Sequence, residues 1–201
     1  SICSITEEHP MVGQSPYSAS KIAADQLAIS FWKSFDLPIT ILRPFNTYGP
    51  RQSTRAIIPT IISQIYSGEK EIKLGSLNPT RDFNFVEDTC EAFVKVAESK
   101  NTIGEIINSA SNFEISIGDT AELIAKIMNA DITIISEDKR IRPESSEVSR
   151  LFGDNSKLKY LTTWLPKFSG IEGFQKGLEV TIDWFCKREN LSNYNFKKYL
   201  V

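Results

Sequence analysis

Short β-branched apolar segments alternate with helical patterns along the chain, and few architectures accommodate that order. A helix of about residues 17–35 precedes PITIL at 38–42, a buried strand bounded by Pro38 and Pro44. Further helices are predicted at about 56–66, 87–99, 117–128 and 170–187, and strands at 71–74, 82–86, 105–108 and 131–135. This alternation is typical of an α/β fold with parallel strands.

Two of the helices begin with recognisable capping residues. Ser15 stands before Pro16, and a serine cap followed by proline in the first turn is a common helix start. Ser116 and Asp119 match a capping box, which predicts that a helix begins there and runs to about Met128. Asp154 is predicted to cap a short helix, and residues 139–151 to form a polar loop.

The composition excludes several classes of function. Net charge is −2, so the chain lacks the basic surface of a nucleic-acid-binding protein. The richest apolar run, residues 56–62, is far shorter than the roughly 20 residues that cross a bilayer, so no membrane association is expected. The three cysteines have no CxxC spacing, which argues against a disulfide framework or a metal site and favours the cytoplasm.

Tyr17 and Lys21 lie four residues apart in the first predicted helix, so their side chains share one face. A nearby ammonium group favours the phenolate and lowers the pKa of the tyrosine from its usual value near 10. Such a pair can accept a proton from a substrate hydroxyl. Spacing alone leaves a surface pair as an equal alternative, because the same spacing recurs at Tyr66/Lys70 and Tyr194/Lys198.

The sequence around this pair carries further motifs. QSPYSASK at 14–21 is followed by ILRPFNTYGPR at 41–51, TRDFNFV at 80–86 and RPE at 142–144. In this order the motifs closely resemble the extended short-chain dehydrogenase/reductases, the NAD-dependent epimerase/dehydratase family. The amino-acid sequences of the motifs are most similar to those of the nucleotide-sugar 4,6-dehydratases of bacterial nonulosonic acid pathways, such as that of legionaminic acid.

The resemblance implies a cofactor side of the site. Tyr17 would be the catalytic acid/base. Lys21 would assist it and bind the nicotinamide ribose hydroxyls of NAD, and Pro44 would lie beside the nicotinamide carboxamide. The position of Pro44 after a strand suits the rule that ligands bind beyond the carboxyl ends of parallel strands.

The resemblance also implies a substrate side. Asn46 would bind the diphosphate or sugar, Arg81 and Arg142 would neutralise the diphosphate, and Glu144 would accept from a ribose hydroxyl. Each has a simpler alternative. Asn46 could be a turn residue, Arg81 could form a surface ion pair with Asp82, and Arg142 and Glu144 could belong to a solvated loop.

The glycine-rich turn that binds the NAD pyrophosphate in this family does not occur in the sequence. The segment most similar to such a turn contains the glycines at 170, 173 and 177, but their spacing is wrong and the segment is predicted to be helical. We therefore expect the chain to be a C-terminal part that lacks the first βα units. Residues 1–47 and 86–110 would complete the Rossmann-like sheet, and residues 48–85 and 111–201 would form a smaller α/β substrate-binding domain.

The resemblance predicts a 4,6-dehydratase of UDP- or GDP-linked N-acetylhexosamines, a homodimer when intact and inactive as this chain alone. The reaction would be oxidation at C4, loss of water across C5 and C6, and return of hydride to C6. A nucleotide-sugar 4-epimerase or decarboxylase of the same family is the nearest alternative. A non-catalytic, nucleotide-binding or scaffold relative is a second.

Overall fold

The computed structural model describes residues 4–140 and 148–191, and within them it has seven α-helices and seven strands. The helices are α1 (Pro16–Phe35), α2 (Ile57–Tyr66), α3 (Val86–Glu98), α4 (Ile117–Ile127), α5 (Ser156–Leu161), α6 (Gly170–Cys186) and α7 (Arg188–Leu191). The strands are β1 (Ile41–Pro44), β2 (Asn46–Tyr48), β3 (Glu71–Leu74), β4 (Thr80–Phe85), β5 (Ile106–Ser109), β6 (Glu114–Ser116) and β7 (Thr133–Ser136). In this part of the chain, no helix combines the length and apolar character that a bilayer crossing requires.

The strands form three small sheets that are mainly parallel. β1 pairs with β5, with Ile41 opposite Ile106, and β3 pairs with β7, with Glu71 opposite Thr133; both pairs are parallel. In the third sheet β4 is central, parallel to β2 on one side and antiparallel to β6 on the other. Parallel strands joined through helices confirm the predicted α/β class.

The helices predicted with both ends are confirmed to within about one residue, and α1 and α4 begin with the predicted side-chain caps. At the start of α1, Ser15 Oγ accepts from the Ser18 amide at 3.1 Å, and Ser18 Oγ accepts from the Ser15 amide at 2.9 Å. At the start of α4, Ser116 Oγ accepts from the Asp119 amide at 2.9 Å. The glycine-containing segment from Gly170 is the first half of α6, as predicted.

The strands are less well predicted. The first begins at Ile41 rather than at Pro38, because proline has no amide hydrogen to donate and the ladder to β5 starts only at Ile41. β2 and β6 were not predicted. Each has three residues and depends on β4 for its pairing.

Two clusters of buried side chains stabilise the structure. The larger lies between α2, α4, α6 and the sheet of β4, and its centre is aromatic: the ring of Tyr48 packs against Phe83, Phe85 and Phe174, and Phe174 of α6 also stacks on Phe83. Gly177 allows α6 to approach so closely that a Cβ at this position would overlap the Tyr48 hydroxyl. The smaller cluster contains Ala92, Val96, Ile107, Leu158 and Trp164, under β1 and β5.

A segment late in the chain, residues 148–154, lies against strands and residues from much earlier positions. The Leu151 amide donates to the Thr80 carbonyl at 3.0 Å, beside the start of β4. The Ile5 amide donates to the Phe152 carbonyl at 2.7 Å, and the Asp154 amide donates to the Ile5 carbonyl at 3.0 Å. The segment therefore joins β4 to the first described residues.

Candidate active site

Tyr17 lies in the first turn of α1, directly after the Ser15 cap, and its side chain is 72% exposed. The Nζ atom of Lys21 lies 5.7 Å from the centroid of the Tyr17 ring. The two side chains are therefore neighbours on one face of the helix, and the ammonium can act electrostatically on the phenol.

A cleft of about 650 Å³ opens beside Tyr17. Four residues that the sequence predicted for the site contribute to its wall: Tyr17, Pro44, Asn46 and Arg81. They come from α1, β1, β2 and β4, so the fold brings together positions up to 64 residues apart in sequence (81 − 17). Arg142 and Glu144 lie outside the described residues.

Pro44 and Asn46 stand at a change of strand. Pro44 is the last residue of β1 and is exposed, and Asn46 is the first residue of β2, opposite Phe83 of β4. The alternative of a turn at Asn46 is thus not what the structure shows, because the bend comes after Tyr48, at Gly49 with a φ of 147°. Both residues lie at the carboxyl end of β1, where parallel sheets bind ligands.

Arg81 reaches the cleft from β4. Its Nη1 donates to the carbonyl of Thr80 at 2.8 Å and to that of Val148 at 2.6 Å. The alternative of a surface Arg81–Asp82 ion pair does not match the structure, since Asp82 is completely buried. Successive residues of a strand face opposite sides, which places Arg81 towards the cleft and Asp82 towards the interior.

Asp82 anchors the strand that carries Arg81. Its carboxylate accepts from the Ser111 amide and hydroxyl at 2.8 and 2.7 Å, and from the Asn112 and Gly153 amides at 3.2 Å each. Burial raises the pKa of Asp82, and these hydrogen bonds oppose the rise. This role could not be predicted from the sequence, because the donors lie far away along the chain.

The cleft is positively charged. Four basic residues line the cleft: Arg55, Lys73, Arg81 and Arg140. Among the described residues, no Asp or Glu lines it. Arg140 Nε is paired with Glu137 at 2.7 Å, just outside the cleft wall. Lys73 and Arg140 were missed at the sequence level, since only the pairing of β3 with β7 brings them near Arg81. A ligand with at least two negative charges fits such a wall.

Comparison with known proteins identifies the family. The family model described as GDP-mannose 4,6 dehydratase matches residues 2–177. The chain belongs to this family. The resemblance to nucleotide-sugar dehydratases is thereby confirmed at the family level, whereas the nonulosonic acid subgroup stays a prediction.

Individual relatives agree with the family. The chain is 34% identical over 182 residues to the low-salt glycan biosynthesis protein Agl12 of Haloferax volcanii, covering 90% of this chain and 55% of that protein. It is 32% identical over 198 residues to the human dTDP-D-glucose 4,6-dehydratase, covering 96% and 54%. The chain thus spans about half the length of the relatives it matches.

Solved structures of family members have the same fold. The dTDP-glucose 4,6-dehydratase of Bacillus anthracis in complex with NAD superposes with a TM-score of 0.80 at 30% identity, covering 93% of this chain and 57% of that one. The UDP-glucuronic acid 4-epimerase of Bacillus cereus, in complex with UDP-glucuronic acid and NAD, gives 0.83 at 28% identity, covering 96% and 57%. The Rossmann-like character predicted from the sequence is confirmed by these matches.

Proposed function

We propose that the chain supplies the tyrosine, the lysine and the diphosphate-binding part of an NAD-dependent nucleotide-sugar 4,6-dehydratase. The substrate class is a UDP- or GDP-linked N-acetylhexosamine. The observation that carries the proposal is Tyr17, with Lys21 beside its ring, at the edge of a cleft whose charged wall is entirely basic in the described residues. Membership of the family and the dehydratase relatives support it.

On the cofactor side, three residues would contact NAD. Tyr17 and Lys21 of α1 would hold the nicotinamide ribose, and Pro44 would contact the carboxamide, which fits the position of Pro44 at the exposed carboxyl end of β1. Bound NAD would accept a hydride from C4 of the sugar and later return it. Tyr17 would act as a phenolate that the Lys21 ammonium stabilises, and it would take the proton of the C4 hydroxyl to become the neutral phenol.

On the substrate side, Asn46 would donate to the sugar or the diphosphate, and Arg81 would bind the diphosphate. A guanidinium suits this task because its planar fork donates two parallel hydrogen bonds to phosphate oxygens. Arg142 and Glu144 are proposed to complete the nucleotide site. Lys73 and Arg140 add positive charge to the wall of the same cleft.

A 4-epimerase is the second candidate, favoured by the good superposition on the UDP-glucuronic acid 4-epimerase. The cleft residues described above would serve both reactions, because both begin with oxidation at C4. Incubation of the full-length protein with NAD⁺ and UDP- or GDP-N-acetylglucosamine separates the two. A 4-keto-6-deoxy sugar supports the dehydratase, and a recovered C4 epimer supports the epimerase.

Tyr17→Phe tests the assignment of the acid/base. In the full-length protein this variant should lower turnover by about 100-fold or more, because the C4 hydroxyl loses its proton acceptor. Calorimetric titration of this variant with UDP or GDP should give the dissociation constant of the wild-type protein, since Arg81 is unchanged.

Tyr160→Phe is the matched control, because Tyr160 is 87% exposed on α5 and does not line the cleft. It should leave turnover unchanged. Wild-type turnover in Tyr17→Phe would refute the proposed function.

We also propose the domain division predicted from the sequence, with residues 1–47 and 86–110 on the cofactor side and 48–85 and 111–201 on the substrate side. The two separate buried clusters support it. Leu158 and Trp164 of the substrate side complete the smaller cluster, so the two sides would share a packed boundary.

A homodimer and a cytoplasmic location complete the proposal. The exposed apolar side chains Leu27, Phe31 and Phe35 on α1 support a partner that covers this helix. Sedimentation of the full-length protein at several concentrations would test the dimer.

A further inference from the structure

The helix that carries Tyr17 has little apolar attachment to the rest of the described structure. α1 has 20 residues, and none of them is fully buried. Its inward side is only partly covered and includes Ile22, Asp25 and Trp32. Trp32 lies against Gly104 near one end of the helix, and a second contact in the described residues links the helix to β1.

One ion pair makes that connection. Arg43 Nε lies 2.7 Å from Asp25 Oδ2, and the two side chains are 23% and 22% exposed. The rest of the guanidinium is occupied as well, because Nη1 donates to the Glu7 carbonyl at 3.4 Å and Nη2 to the Met11 sulphur at 3.1 Å. Arg43 thus joins α1, the segment before it and β1.

Helix geometry links this ion pair to the reactive tyrosine. Tyr17, Lys21 and Asp25 follow one another at intervals of four residues, and each interval advances about 6 Å along the axis and turns about 40°. Asp25 therefore faces β1, whereas Tyr17 lies two turns earlier and reaches the cleft edge. Arg43 is directly followed by Pro44, which lines the same cleft.

We propose that Asp25 and Arg43 are positioning residues for the Tyr17–Lys21 pair, fixing α1 in register with the end of β1. The inference rests on the proposed function of Tyr17. Loss of the ion pair would let α1 shift along the strand and displace the phenol from the reacting hydroxyl. Displacements of about 1 Å can cost as much as 100-fold in rate.

Steady-state kinetics of the full-length protein with NAD⁺ and UDP- or GDP-N-acetylglucosamine test this. Asp25→Asn should lower kcat about tenfold or more, with an unchanged dissociation constant for the nucleoside diphosphate. Arg43→Lys keeps the charge but not the Nε contact, and it should lower kcat in the same direction. Asp25→Glu, which keeps the carboxylate, should recover most of the rate.

Asp183→Asn is the matched control, because it removes a carboxylate from another ion pair, with Lys187 at 3.1 Å, on α6 and outside the cleft wall. It should leave kcat unchanged. A wild-type kcat in Asp25→Asn or Arg43→Lys, with turnover lost in Tyr17→Phe, overturns the positioning role alone. Turnover that survives in Tyr17→Phe overturns the proposed function and this inference together.

Discussion

Helices α1 and α6 have similar lengths, 20 and 17 residues, but opposite relations to the core. Seven residues of α6 are fully buried, including Phe174 and Phe185, whereas α1 has none. The proposed reactive pair is on the loosely attached helix, and the cleft wall rests on the tightly packed part. Stability and chemistry are therefore assigned to different helices, and mutations in the two should have different effects.

The largest expected difference is between two phenylalanines. Phe174 packs between Tyr48 and Phe83, with ring centroids 5.2 and 5.5 Å away, so Phe174→Ala should reduce the free energy of unfolding by about 3–5 kcal/mol. Phe35 on α1 is 67% exposed, and in the monomeric 201-residue chain Phe35→Ala should change the free energy of unfolding by less than about 0.5 kcal/mol. Urea unfolding followed by circular dichroism measures both. Equal losses would remove the contrast between the helices.

Two aspartates provide the next test. Asp82→Ala leaves the buried amides of Ser111 and Gly153 and the part-buried amide of Asn112 without this acceptor and should cost about 2–4 kcal/mol. Asp25→Ala on α1 leaves Arg43 with access to solvent and should cost about 1 kcal/mol. The same unfolding measurement applies. A larger loss for Asp25 than for Asp82 would mean that α1 is the better-anchored region.

The smallest expected effect is on the pH dependence of unfolding, through the ion pair of Glu114 with Arg150. Arg150 holds the pKa of Glu114 below its ordinary range through hydrogen bonds of 2.5–3.0 Å. A lowered folded-state pKa means that the pair stabilises the fold above the ordinary glutamate pKa, and this stabilisation is lost as the pH falls through the lowered value.

Glu114→Gln should therefore cost less than about 1 kcal/mol at pH 7 and weaken the dependence of unfolding on pH in the acid range. Urea unfolding at several pH values between about 3 and 7 measures it, around the ordinary glutamate pKa. An unchanged pH dependence would show that the segment at Arg150 is held by its backbone bonds alone.

The sequence predicted what local chemistry determines. Ser15 and Ser116 mark their helices because a cap acts within three residues, and Tyr17 and Lys21 come together through helical spacing alone. β2 was missed because its three residues are followed directly by Gly49–Pro50 and become a strand only by pairing with β4, 37 residues later (Asn46 with Phe83).

The cleft residues also divide into those that local motifs predicted and those that only long-range pairing brings together. Pro44, Asn46 and Arg81 could be named from their motifs, and the structure places them on one wall with Tyr17. The motifs did not predict Lys73, Arg140 or the role of Asp82. Lys73 depends on the pairing of β3 with β7, and Asp82 on donors at residues 111–112 and Gly153. Pairings over such distances are set by the tertiary structure, which no sequence window contains.

The bridge between Ile5 and the segment of Phe152 has a consequence for the newly made chain. Ile5 leaves the ribosome before any of its partners exist, and 147 residues must follow before Phe152 appears (152 − 5). At ordinary translation speeds that interval is roughly 7–30 s. Closing so long a loop is also entropically costly, so this pairing is expected among the last steps of folding.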